Sequence, residues 1–353
     1  MAMKLPFQDA DPAHRDFQFL EDLSTAYWYS EVLFTALELN LFEFLEQGSS
    51  QLNTLARVAS CHAKELHRLL KVLERLELVH HAEGVWFNSQ IARKYLVPGG
   101  HSYIGDFLLY RRYIQPKWKD LVQRISFEKR GRGLSVTPDD DYAIRTFHYV
   151  RAMDELMQQK AEEIMALLAL ESWEPPILDV GGGAGALSRS LIKTKEHGYV
   201  LLFELPEVIR AAKTLHPDKE AWKRFQILKG DFRTYEFQVK SRFGLIVMSN
   251  FLHAYGEEEA RKLLYKALTL LEPDGLILIH DYFPDRLGQS PQKAPLYDLN
   301  MMINTFNGRC HEGSQIMRWL REAGVERVKI RDLATDSSIV LATREKADCE
   351  EKT

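Results

Sequence analysis

Apolar residues early in the chain recur with helical spacing. Leu33, Leu37, Leu41 and Leu45 fall every four positions with Ala36 and Phe44 beside them, so residues 17–45 read as helix with one core-facing stripe. Tyr27, Trp28 and Tyr29 add more apolar surface than one short helix can hide within itself. Gly48-Ser49-Ser50 breaks the pattern, and residues 64–76 resume it with Leu66, Leu69, Leu70, Leu73 and Leu76 on one face. Residues 79–87 then read as a small hairpin turning at Gly84. Helix, helix and wing make a winged-helix outline. Residues 104–125 read as helical and aromatic (Tyr110, Tyr113, Trp118), residues 128–141 as a loop carrying Lys129, Arg130 and Arg132, and residues 142–170 as one long helix. Its apolar face holds Phe147, Val150, Met153, Leu156 and Met157, and Tyr149 and Met153, four apart, can share a cleft.

After Pro176 the period changes. Strands are expected at 177–180, 200–203, 225–228, 245–249, 276–280, 328–330 and 339–342, with helices between them at 186–193, 207–215, 257–271 and 313–323. Seven strands alternating with helices predict an α/β fold: a Rossmann-like, mostly parallel sheet covered on both faces. Ligands of such sheets sit at the carboxyl ends of the strands, which is where chemistry is to be sought. The expected organisation is an all-α, winged-helix-like domain over 1–105, connecting helices over 106–170, an α/β domain over 171–345 and a polar tail over 346–353.

Composition narrows the class. The 353 residues are 45% hydrophobic and 27% charged, ordinary for a globular protein, and the net charge of −4 gives no bulk attraction to nucleic acid or anionic membrane. The second helix of the winged outline mixes Lys64, His67, Arg68, Lys71 and Arg75 with Glu65, Glu74 and Glu77, where a DNA reader needs a cationic excess. Dimerisation or pocket lining is the better expectation, with a DNA-binding regulator as the alternative of another class. No run reaches the roughly 20 apolar residues of a membrane span. The first residues lack a signal-peptide core, and three scattered cysteines (Cys61, Cys310, Cys349) fit a reducing cytoplasm and offer neither a disulfide framework nor a metal site.

The chemistry gathers at Ile177-Leu178-Asp179-Val180-Gly181-Gly182-Gly183-Ala184-Gly185-Ala186, which reads as strand, tight glycine turn and helix start. The glycines alone are ambiguous: Gly181, Gly183 and Ala186 fit a dinucleotide fingerprint, while Gly181, Gly183 and Gly185 fit that of methyltransferases. Asp179 favours the second, because a carboxylate there repels a pyrophosphate but can hold an ammonium. S-adenosylmethionine (SAM) has an ammonium and a sulfonium and no phosphate. Glu204, 25 positions on, stands where an acid grips ribose hydroxyls, a feature that NAD enzymes share. Asp231 and Phe232 follow the third strand and can bond and cover an adenine. Past the fourth strand comes His253, and the fifth ends at Asp281: a general base and a carboxylate to hold its tautomer. Alternation turns His280 away from Asp281.

These motifs together resemble the two-domain SAM-dependent O-methyltransferases, which include plant caffeate and flavonoid enzymes, acetylserotonin O-methyltransferase and bacterial small-molecule enzymes. The resemblance runs from about Phe17 to Ala342. It is carried by Leu178–Gly185, Phe203-Glu204-Leu205-Pro206-Glu207-Val208-Ile209, Gly230-Asp231-Phe232, the His253 loop, Leu271-Glu272-Pro273-Asp274-Gly275, Asp298-Leu299-Asn300-Met301-Met302 and Asn307-Gly308-Arg309. It implies a class I methyltransferase fold and a homodimer formed through the N-terminal domain. Cofactor contacts are then expected at Asp179, Gly181, Gly183, Glu204, Leu205, Gly230, Asp231, Phe232 and Ser249, with His253 as base and Asp281 as its support. Tyr110, Tyr149, Met153, Asn250, Met302 and Phe306 are expected to line the substrate pocket. The chain also departs from the plant pattern. Ala254 and Tyr255 follow the base in place of Asp and Trp, and Cys310, beside His311, stands where a second glutamate supports the base. A related branch that methylates ring carbon of tetrapyrroles has Tyr at the base position, so carbon methylation of a flat ring is the alternative to transfer onto a hydroxyl.

Overall fold

A computed structural model describes residues 16–48, 50–126, 142–238, 242–286, 293–325 and 327–344. The expected basic loop over 128–141 and the polar tail from 346 lie outside these residues. The chain divides into two compact units, Met1–Gln115 and Pro116–Thr353. The expected connecting segment 106–170 is thereby split between them.

The first unit holds α1 (Asp16–Thr25), α2 (Tyr27–Glu38), α3 (Leu41–Glu46), α4 (Leu52–Val58) and α5 (Ala63–Arg75). A hairpin, β1 (Val79–Ala82) with β2 (Val85–Asn88), is followed by α6 (Gln90–Tyr95) and α7 (Gly105–Ile114). The expected single helix over 17–45 breaks near Ala26 and again at Asn40, whose φ of 52° lies in the left-handed region that asparagine tolerates. The hairpin turns on Glu83 and Gly84, both at positive φ, as the tight turn between right-twisted strands requires. Leu37, Leu41 and Leu45 meet Leu66, Leu70 and Leu73 in one core, closed by the buried Trp86 of β2. Leu20, Leu23, Tyr27 and Trp28 stay exposed, the two aromatic residues at 56% each.

The second unit begins with α8 (Leu121–Ile125) and α9 (Tyr142–Leu168), then alternates β3 (Ile177–Val180), α10 (Ala186–Lys193), β4 (Val200–Glu204), α11 (Pro206–Leu215), β5 (Phe225–Lys229) and β6 (Phe243–Ser249). It continues through α12 (Glu257–Thr269), β7 (Leu271–Asp281), α13 (Ala294–Asn304), α14 (Gly313–Glu322), β8 (Arg327–Asp332) and β9 (Ser338–Thr343). The seven-stranded sheet has the order β5-β4-β3-β6-β7-β9-β8, parallel from β5 to β7, with β9 antiparallel to both β7 and β8. Strand order reverses between β3 and β6, so the crevice where such sheets take ligands opens there.

Strand alternation sorts the core into two layers. Leu178, Val180, Ile246, Met248, Ile277 and Ile279 face α12 and α14. Ile177, Leu245, Val247, Leu276 and Leu278 face α9 and α10. β7 starts earlier than the pattern predicted. Leu271 already pairs with Phe243, and the register shifts across Pro273–Gly275 before Leu276 pairs with Leu245.

Candidate active site

Gly181, Gly183 and Gly185 all have positive φ (68°, 59° and 79°), a run that side-chain-bearing residues rarely adopt. A Cβ on Gly181 would strike the Phe251 ring, which packs the turn after β3 against the turn after β6. Around this loop lies a cavity whose wall includes Asp179, Gly181, Gly183, Glu204, Ser249 and Asn250, together with Tyr149 and Met153 of α9. Eight of the expected ligand-contacting residues thus come together, from the ends of β3, β4 and β6 and from one helix.

Asp179 is 2% exposed, and its Oδ2 accepts the Ser188 hydroxyl at 2.6 Å. Its other oxygen, Oδ1, is buried without a hydrogen-bond partner, as is Oδ1 of Asn250, a residue that lines the same cavity. Burial pushes the Asp179 carboxyl up to about 6, with the Ser188 bond and the Arg189 charge pulling it partway back. Glu204 is pushed up to about 7, again by burial first. The N–H groups of Leu205 and Gly183 work against the rise, and the charges of Asp179 and Glu207 add to it. Two carboxyl groups that resist ionisation, and two acceptor oxygens without partners, leave Asp179, Glu204 and Asn250 short of positive charge and of donors to those oxygens.

The second cluster is satisfied within the chain. At the end of β7, Asp281 Oδ1 lies 2.5 Å from His253 Nδ1 and accepts the Tyr282 N–H at 2.9 Å, while Oδ2 accepts the His253 N–H at 3.3 Å. Burial acts to raise the Asp281 pKa, but the His253 ring and the Tyr282 N–H more than offset it and hold the group below the usual carboxylate range. An ionised Asp281 accepts from Nδ1–H, which leaves the lone pair on His253 Nε2, the state of a general base. His253 sits on a short 3-10 turn, Leu252–Ala254, and its side chain is 12% exposed. His311 reaches that turn from behind, its Nε2 lying 3.2 Å from Leu252 O and 3.1 Å from Tyr255 O. Cys310 is buried, its thiol pushed up by burial and by the neighbouring Asp281 and Asp298, so it stays protonated and supplies no second carboxylate. His311 therefore braces the His253 turn through the backbone, in a different way from a second acid.

Several expected contacts are placed elsewhere. Asp231 is clamped by the guanidinium of Arg233, whose Nε lies 3.0 and 2.9 Å from the two carboxylate oxygens, and it is not among the residues lining this cavity. Phe232 is buried, with edge-to-face contacts to the rings of Phe203 and Phe251. Gly230 lies near the Phe203 and Tyr235 rings, and Leu205 is partly exposed just past β4. Met302 is half-buried on α13, and Phe306 is 87% exposed. Tyr110 belongs to the first unit, where it stacks with Tyr113. Sequence reasoning missed Asp154, a buried acid of α9 on the cavity wall that holds Arg189 at 3.2 Å and His216 at 2.9 Å. The available signal was an acid standing four residues after Val150 on the buried stripe of a long helix. Among the described residues no cluster of His, Cys, Asp and Glu could hold a metal, and no helix is long and apolar enough to cross a membrane.

Comparison with known proteins agrees with this layout. Residues 118–326 match the family model of the O-methyltransferase domain, and residues 21–98 match that of the O-methyltransferase dimerisation domain. The chain is 28% identical over 316 residues to 3-hydroxy-5-methyl-1-naphthoate 3-O-methyltransferase of Streptomyces sahachiroi, covering 88% of this chain and 90% of that one. It is 25% identical over 340 residues to rat acetylserotonin O-methyltransferase, covering 94% and 78%. In structure it resembles human N-acetylserotonin methyltransferase in complex with SAM, with a TM-score of 0.81 at 22% identity over 96% of this chain and 99% of that one.

Proposed function

The chain belongs to the O-methyltransferase family, and from that premise we propose that it transfers the methyl group of SAM to a hydroxyl of a small aromatic or polycyclic substrate, with His253 as general base. The carrying observation is the pair of orphan acceptors on the cavity wall, Asp179 Oδ1 and Asn250 Oδ1. An amino-acid ammonium and ribose hydroxyls are donors that could meet these acceptors, and a dinucleotide pyrophosphate would add charge of the wrong sign. SAM also fits the positive-φ glycine turn, where no side chain intrudes at Gly183.

SAM supplies an electrophilic methyl on its sulfonium, and the protein supplies the rest. Asp179 and Glu204 bind the cationic amino acid and the ribose. His253 Nε2 accepts the hydroxyl proton as the substrate oxygen attacks, and Asp281 stabilises the imidazolium that forms. Tyr149 and Met153 give the flat, apolar contact that an arene needs. Holding two reactants in line is the larger source of rate, since it replaces a rare collision with a fixed geometry.

The family relationship and the exposed Leu20, Leu23, Tyr27 and Trp28 also support a homodimer formed through the first unit. Light scattering on the full chain should give twice the chain mass, and Trp28→Glu should shift it toward monomer. For the cofactor, calorimetry with S-adenosylhomocysteine should show saturable binding where NAD shows none. Binding of NAD with indifference to S-adenosylhomocysteine would overturn the reading. Product NMR that places the new methyl on carbon would keep the cofactor assignment and replace the acceptor.

A further inference from the structure

Behind the cavity runs a buried line of polar side chains that the proposed mechanism does not use. Lys160 of α9 is 3% exposed, and its Nζ lies 2.6 Å from Ser337 Oγ, 3.2 Å from Asp336 Oδ1 and 3.3 Å from Thr335 Oγ1. Ser337 Oγ is 2.9 Å from His280 Nε2, and His280 Nδ1 is 2.8 Å from Ser249 Oγ. Ser337 and His280 are both fully buried. Ser249 and His280 are register partners on adjacent parallel strands, and alternation turns both toward the α9 face, opposite to Asp281. The line ends at the cavity, because Ser249 is on its wall.

Its direction follows from counting donors. An ammonium only donates, and the three protons of Lys160 meet three acceptors, so Ser337 Oγ accepts from the lysine. The hydroxyl proton of Ser337 then has the His280 ring as its acceptor, and the arrangement that spends every donor sends it to Nε2. A neutral imidazole with Nε2 accepting carries its proton on Nδ1, which donates to Ser249 Oγ. Ser249 has then accepted its bond from the protein, and its own proton is left for the cavity. The neighbour it otherwise meets is the Met157 sulfur at 3.9 Å, a weak acceptor.

We infer that Lys160, Ser337 and His280 are positioning residues that set the polarity of this line, so that Ser249 presents a hydrogen-bond donor to an acceptor atom of the bound SAM. The wall then offers a donor from Ser249 beside the acceptors of Asp179 and Asn250, as a zwitterionic amino acid on a nucleoside requires. The inference rests on the SAM reading of the cavity, and its tests separate the two. Neutron diffraction of the deuterated full chain with S-adenosylhomocysteine reads the proton positions without any substitution. A deuteron on His280 Nδ1, none on Nε2, and the Ser249 deuteron directed at the ligand is the expected result. A deuteron on Nε2, or a Ser249 hydroxyl directed back at His280, overturns the inference whatever the ligand. By calorimetry, Ser249→Ala should raise the Kd for S-adenosylhomocysteine about 3- to 10-fold, the loss of one neutral hydrogen bond, while Ser249→Thr retains most of the affinity. An unchanged Kd in Ser249→Ala overturns the donor role. A wild-type chain that binds no S-adenosylhomocysteine overturns the SAM reading instead, while the tautomer measured without ligand still decides the polarity of the line.

Discussion

Asp179, next to last in β3, and Asp281, the last residue of β7, lie on the first and the last parallel strands of the same sheet, and both are almost wholly buried, yet burial leaves them in opposite states. Asp281 has both oxygens engaged by His253 and Tyr282 and is held below the ordinary carboxylate range. Asp179 has one oxygen on Ser188 and the other on nothing, and it is pushed up to about 6. Burial penalises either charge, so the difference is the partner. On the proposed reading, the carboxylate whose partner is part of the chain is preorganised for catalysis, and the one whose partner is missing marks the place for a ligand.

The largest expected effect breaks the satisfied half. His253→Ala removes the acceptor of the substrate proton and should lower kcat by about 10²–10⁴-fold, measured by S-adenosylhomocysteine release with the physiological acceptor. The Kd for S-adenosylhomocysteine should stay within about twofold of wild type, because no cofactor contact is assigned to the imidazole. A variant that retains full kcat would remove His253 from the mechanism and leave Asp281 a structural acid.

Breaking the unsatisfied half should give the reverse pattern. Asp179→Asn keeps the shape and the bond to Ser188 but deletes the charge that meets the ammonium. Loss of one charge-assisted hydrogen bond weakens binding by about 10- to 100-fold, read by calorimetry with S-adenosylhomocysteine. Equal affinity in the variant and wild type would mean that the orphan oxygen faces no cation.

The same contrast predicts how binding depends on pH. Glu204 near 7 and Asp179 near 6 are partly protonated in the free protein, and on the proposed reading the ligand binds their ionised forms. Affinity should therefore fall as pH falls through 7 and then 6, by roughly ten- to twentyfold between pH 8 and 6. Binding at pH 6.5 should release protons, visible as a buffer-dependent calorimetric enthalpy. A pH-independent Kd would show that neither carboxyl touches the ligand.

How much of this was legible beforehand follows the range of the contacts. β3 and α10 have the expected bounds, Ile177–Val180 and Ala186–Lys193, because their apolar spacing and the glycine turn between them are local signals. Pairing of His253 with Asp281 was also readable, since both follow parallel strands whose carboxyl ends share one rim. Asp154 with Arg189 and His216, or Lys160 with Ser337, was not readable: these partners lie 35 to 177 positions apart on elements that only packing brings together. Asp231 and Phe232 went the other way. Their motif was visible, but the pairing of Asp231 with Arg233 two residues on and the burial of Phe232 against Phe203 were not. α13 was quoted as a motif and not read as a helix, although Pro295 in its first turn is an ordinary helix start.

The smallest predicted effect asks whether the base is preorganised by more than its carboxylate. His311 is positioned to donate Nε2–H to the carbonyls of Leu252 and Tyr255, which bracket His253, and burial lowers its pKa, so it remains neutral at working pH. His311→Leu deletes that shared donor without touching the imidazole of His253, Asp281 or the glycine turn. The two carbonyls would then seek other partners, and the turn would shift within its packing. Removal of one neutral buried donor costs about 1–3 kcal/mol, but only the part that moves Nε2 of His253 reaches the barrier. A fall in kcat of about 3- to 10-fold is expected, with the Kd for S-adenosylhomocysteine unchanged. If affinity falls and kcat does not, the brace serves the cavity, and the two halves of the site are coupled through the loop that joins β6 to α12.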